Sequence, residues 1–146
     1  MVPFRLMEPL RGRQRKSYDR ETRFISPRPV VILSQDSELV GRIQNCVINV
    51  QLCDGEGSPL SQEHISGPHG VEAVLSLTYF RTPPLALKIS HLLEDQSATL
   101  SFDIECTMQG GQIIRANIMT DPFVFIRDRK PRRGQTRSAS PSSGSD

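Results

Sequence analysis

The sequence predicts an all-β fold, an antiparallel β-sandwich, on three observations. Apolar and polar residues alternate at period two in residues 46–53, 71–77 and 98–107, the spacing of strands with one buried face. Turn signals built from Gly, Pro, Asn and Asp separate about seven such short runs. No stretch carries the 3.6-residue period of a long helix, so two packed layers of strands are the economical architecture, with a barrel as the alternative closure.

Taken in order, Pro27-Arg-Pro-Val-Val-Ile-Leu33 opens the folded part, because Pro27 and Pro29 fix an extended entry into a first or edge strand. Leu39-Val-Gly-Arg-Ile43 reads as a short strand after the polar turn 34–38. In Cys46-Val-Ile-Asn-Val-Gln-Leu-Cys53, the side chains of Cys46, Ile48, Val50 and Leu52 share one face and Asn49 and Gln51 the other. Residues 54–60 form a turn with two glycines, and residues 61–70 a loop. Val71–Leu77 is a strand broken by Arg81-Thr-Pro-Pro84, and Leu85–Ile89 a short one. The clearest strand is 98–107, with Ala98, Leu100, Phe102, Ile104 and Cys106 inward and Thr99, Ser101, Asp103 and Glu105 toward water. Gln109-Gly-Gly-Gln112 turns it into Ile113–Met119, and Phe123-Val-Phe-Ile126 is the last strand. The expected division is a basic N-terminal arm at 1–27, the β-body at 28–127, and a basic, then Ser-rich, disordered tail at 128–146.

Charge is segregated along the chain. Residues 1–28 hold eight basic groups against three acidic ones, residues 29–126 four against eleven, and residues 127–137 six against one. Two basic segments flanking an acidic body indicate a polyanionic partner. In Arg11-Gly-Arg-Gln-Arg-Lys-Ser-Tyr-Asp-Arg-Glu-Thr-Arg23, six of thirteen residues are Arg or Lys. Such a run reads as a loop or a solvated tail rather than a core strand, and its forked guanidinium groups suit phosphates and guanine edges. Arg127-Asp-Arg-Lys-Pro-Arg-Arg133 forms a second cluster, readable as a phosphate-contacting arm or a nuclear-import signal.

Other chemistries lack their residues. Cys46, Cys53 and Cys106 have no metal-site spacing, and an odd count argues against a full disulfide framework, which points to the cytosol or nucleus. His64, His69 and His91 have no ligand partners at metal spacing, so neither a metal nor another cofactor is expected. No phosphate loop or nucleophile elbow is present, so an enzyme is not expected. There is no apolar run long enough for a membrane helix, and Pro3, Arg5, Glu8 and Pro9 interrupt any signal peptide.

The order of these pieces resembles a known superfamily. A basic stretch from Glu8-Pro9 through Arg23 runs into Ser26-Pro-Arg-Pro-Val-Val-Ile-Leu33. Then comes Val47-Ile-Asn-Val-Gln-Leu-Cys-Asp-Gly-Glu-Gly57, and finally Thr120-Asp-Pro-Phe-Val-Phe125 with basic residues behind it. This is similar to the immunoglobulin-like β-sandwich DNA-binding domains of Rel, Runt, STAT and CudA-type, and fungal velvet proteins. Asp19 stands where the Rel loop has Cys, and Arg129-Lys-Pro-Arg132 where velvet domains have Phe-Pro-Gly, so the likeness is to the superfamily and its mode of binding. It implies a nuclear transcription regulator that binds double-stranded DNA, as a monomer or as a homo- or heterodimer. The loop residues implied are Arg11, Arg13, Arg15, Lys16, Tyr18, Arg20, Glu21 and Arg23, with Arg13, Arg15, Tyr18 and Glu21 nearest the bases. After the last strand, Arg127, Arg129, Lys130, Arg132 and Arg133 would hold phosphates. The competing reading is a β-sandwich that binds a protein through its acidic body or an edge strand. An RNA or single-strand binder is disfavoured by 5% aromatic residues and no Trp, since such surfaces need stacking platforms.

Overall fold

A computed structural model describes residues 3–18 and 22–126 of the chain. In chain order its strands are β1 (Phe4–Leu6), β2 (Arg13–Gln14), β3 (Val31–Leu33), β4 (Ile43–Asp54) and β5 (Ile65–Ser66), followed by β6 (Glu72–Val74), β7 (Lys88–Ile89), β8 (Ala98–Met108), β9 (Ile113–Met119) and β10 (Val124–Phe125). One 3-10 turn, Gln62–His64, stands beside them, and the described residues contain no α-helix. The described residues are therefore all-β, and their sheets are antiparallel except for the parallel β2–β10 pair. Among the described residues no helix is long and apolar enough to cross a membrane.

The centre is a four-stranded antiparallel sheet in the order β6-β4-β8-β9. Alternation explains it: Cys46, Ile48, Val50 and Leu52 of β4 and Ala98, Leu100, Phe102, Ile104 and Cys106 of β8 are all buried on its inward face. Register places Cys46 opposite Cys106, Ile48 opposite Ile104 and Val50 opposite Phe102. Phe4, Ile25, Val31, Leu33, Leu75, Leu85, Leu87, Ile89, Leu93 and Phe123 cover that face and complete one core. The turn into β9 needs positive φ at Gly110 and Gly111, 102° and 92°, which glycine adopts without a Cβ clash.

Three local expectations change. Leu39–Arg42 is a pair of turns rather than a strand, closed by Val40 N–H to the Ser37 carbonyl at 3.2 Å and Arg42 N–H to the Leu39 carbonyl at 2.9 Å. Thr99 and Ser101 are buried instead of facing water. Each is made tolerable by a hydrogen bond: Thr99 Oγ1 donates to the Asp54 carbonyl at 2.8 Å, and Ser101 Oγ accepts from Asn117 Nδ2 at 2.7 Å. Finally, the packed body begins well before residue 28. Phe4 lies opposite Leu33 in the β1–β3 pair, and Phe4 and Ile25 sit in the core at 3% and 1% exposure. Apolar surface at these positions has a receptive face to bury against, and its removal from water outweighs the ordering of the few residues that carry it.

The three cysteines are buried thiols. Cys46 and Cys106 are in contact, Sγ to Sγ 3.2 Å. The hydrogen bond they share, and then burial, push the Cys46 thiol far above its ordinary range. Burial pushes Cys53 up as well, helped by the carboxylates of Asp54 and Asp103. These thiols pack as small hydrophobes.

Candidate nucleic-acid interface

The basic N-terminal run is built into the body. Arg13–Gln14 pairs in parallel with Val124–Phe125, held by Val124 N–H to the Gly12 carbonyl and Ile126 N–H to the Gln14 carbonyl, both 2.9 Å. Its extended backbone sends alternate side chains to opposite sides. Gln14 and Lys16 are buried at 2% and 6% exposure, while Arg11, Arg13 and Arg15 face outward. The expectation of a solvated tail is corrected here, while outside Arg13–Gln14 the described part of the run is loop. What allows burial of so polar a strand is complete pairing of its inward groups.

Gln14 is the joint. Its Nε2 donates to the carbonyls of Arg11 at 2.9 Å and Ser26 at 2.7 Å, and its Oε1 accepts from the Ser26 N–H at 2.8 Å. Arg11 N–H adds a bond to the Ser26 carbonyl at 3.0 Å. These contacts tie β2 to the segment around Phe24–Ser26, while Ile25 N–H reaches the Leu87 carbonyl at 2.7 Å. Two stretches separated in sequence thus stand as facing walls.

Between them lies a cleft of about 760 Å3. Arg11, Arg13 and Arg15 line one wall, Arg23, Phe24 and Ser26 the other, and Ile126 closes an end. Four of its described lining residues are arginines and none is an acid. Guanidinium groups clustered this way raise the local positive potential that draws anions, and a guanidinium can bond a phosphate or a guanine edge in two-pronged fashion. Arg28 lies outside the cleft, over the Phe24 ring at 4.6 Å, and braces it.

The other anticipated residues separate from this group. Lys16 is withdrawn from any phosphate: its ammonium donates to the Asp95 carboxylate and the Leu93 carbonyl and lies 5.2 Å from the Phe125 ring centre. A buried ammonium needs such compensation, and here it anchors the strand. Tyr18, a residue 44% exposed, stacks on His91 at 5.0 Å, where the chain runs alongside Ser90. Arg20, Glu21, Arg127, Arg129, Lys130, Arg132 and Arg133 lie outside the described residues, as does the tail. Sequence reasoning missed Gln14, Phe24 and Ser26 as builders of the site. The signal for Gln14 was its place between Arg13 and Arg15, which makes it the inward residue wherever the two arginines face out.

Among the described residues no group of three or more His, Cys, Asp or Glu side chains is placed to hold a metal. Neither a protein-family model nor a curated protein matches the chain.

Proposed function

We propose that the chain is a sequence-specific double-stranded DNA-binding domain of a nuclear transcription regulator, on an immunoglobulin-like β-sandwich. The observation that carries this is the convergence of Arg11, Arg13, Arg15 and Arg23 on one cleft. A rigid strand, tied down by Gln14, presents Arg13 and Arg15 on one side, which favours placement at base edges over loose attraction. The supporting observation is connectivity. Ile126 lines the same cleft, and the basic segment 127–133 follows it directly in sequence and on this reading supplies further phosphate contacts. Arg11 and Arg23 then serve phosphates, and Arg13 and Arg15 read guanine. Lys16 has no part in binding on this reading.

The test is binding to a pool of random duplexes at two salt concentrations. Affinity falls steeply with salt if arginines displace counterions, and each phosphate contact removed lowers the slope of log affinity against log salt by about 0.9. Changing Arg129, Lys130, Arg132 and Arg133 together to Ala is expected to flatten that slope by several such steps. An unchanged slope takes the segment out of the interface, and absence of binding at low salt removes the reading altogether.

A further inference from the structure

We infer that β9 is a homodimerisation edge, joining two copies of this chain through a two-fold axis at Ala116. β9 is an outer strand of the main sheet, paired with β8 alone. The backbone direction follows from the ladder. Leu75 N–H bonds the Cys46 carbonyl, so Cys46 turns its backbone groups away from β8, and Cys106 opposite it turns its own toward Ile114. Ile114, Ala116 and Ile118 therefore bond to β8, while Ile113, Arg115, Asn117 and Met119 direct their N–H and C=O groups outward. Among the described residues those outward groups have no hydrogen-bond partner. Such an edge is a template for another strand.

The side chains identify the occupant. Ile113 and Met119 are large apolar residues exposed at 48% and 44%. The polar residues between them are turned back onto β8: Arg115 bonds Glu105 at 2.7 Å, and Asn117 bonds Ser101 at 2.7 Å and Asp103 at 2.6 Å. Ile-Ile-Arg-Ala-Asn-Ile-Met is a palindrome in character about Ala116. Antiparallel pairing with a second copy sets Ile113 against the partner's Met119, Ile114 against the partner's Ile118 and Arg115 against the partner's Asn117. Every outward N–H and C=O is then satisfied, and the small Ala116 meets its twin at the closest approach of the strands, about 4.5 Å between Cα atoms in a pair without mutual hydrogen bonds. Centring the pair on Arg115 would set like charges directly opposite, which is unfavourable. On the core side, the partner's Ile114 arrives at the mouth of a cleft of about 550 Å3 lined by Leu6, Leu10 and Ile118. The interface is self-complementary, as a two-fold contact requires.

The test uses the full chain. Sedimentation is expected to show a concentration-dependent dimer, and Arg115→Pro, which removes an outward N–H but no bond to β8, is expected to give monomer. Single Ala116→Cys, Arg115→Cys and Asn117→Cys variants are then exposed to oxidised glutathione. Only Ala116→Cys is expected to form a cross-linked dimer readily, because residues at 115, or at 117, lie about 8 Å from their own twins, beyond disulfide reach. The native thiols are buried, and the wild type measures their background. A chain that stays monomeric at high micromolar concentration overturns the inference, as does a dimer cross-linked equally well at all three positions. Should Arg115→Pro fail to fold by circular dichroism, the cross-linking pattern still decides.

Discussion

Phe123→Ala is expected to lower the free energy of unfolding by about 4 kcal/mol, the usual loss for a large aromatic removed from a packed core. Phe123 is 1% exposed, exchanges backbone hydrogen bonds of 2.8 and 2.9 Å with Ala98, and meets Phe125 edge to face at 5.7 Å. The residues after it, Val124 and Phe125, hold Arg13 and Gln14. The cavity therefore opens beneath the wall of the basic cleft, and on the proposed reading of that cleft DNA affinity drops along with stability. Phe123→Leu keeps most of the volume and should cost less than about half as much. Urea unfolding of the three proteins checks this. A loss under about 1 kcal/mol for the alanine variant would mean that Phe123 does not clamp the last strand to the body.

The second large effect is expected at Gln14. Gln14→Ala removes three side-chain hydrogen bonds and leaves the Ser26 N–H without its acceptor, a loss of about 3 kcal/mol. Gln14→Glu can still accept from that N–H but, ionised, cannot donate to the Arg11 and Ser26 carbonyls, and it sets a negative charge beside the arginines. Both variants should therefore melt at lower temperature and bind DNA more weakly. Arg13→Ala, an exposed change, should alter stability by no more than about 0.5 kcal/mol. Thermal melts beside binding titrations separate the two behaviours. If Gln14→Ala melts like the wild type, the joint between the cleft walls is not where the hydrogen bonds place it.

How much of this was legible varied with strand length. β4 and β8 carry twelve and eleven residues, enough for period-two alternation to declare the buried face, and Cys46, Ile48, Val50 and Leu52 with Ala98, Leu100, Phe102, Ile104 and Cys106 are buried as expected, while Thr99 and Ser101 are buried against expectation. β1, β2, β7 and β10 have two or three residues each, too few for any period to emerge. Their existence depends on distant partners: Phe4 needs Leu33, and Arg13 needs Val124 from the far end of the chain. The candidate site divides the same way. Charge density pointed to the stretch Arg11–Arg23. Which basic residue turned inward was decided by the pairing of β2, which gave Lys16 a carboxylate and a carbonyl and left Arg13 and Arg15 outside. Arg23 joined the cleft because Gln14 and the Arg11 N–H bond Ser26 across it.

The central claim is that the cleft arginines read bases, and one comparison tests it most directly. A duplex selected from the random pool and a scrambled duplex are titrated with wild type and Arg13→Ala at a single salt concentration. Loss of a two-pronged guanine contact is expected to weaken binding to the selected duplex by roughly 1–3 kcal/mol, with a much smaller loss on the scrambled one. An equal loss on both duplexes would make Arg13 a nonspecific anchor, and no loss on either would show that DNA does not enter the cleft.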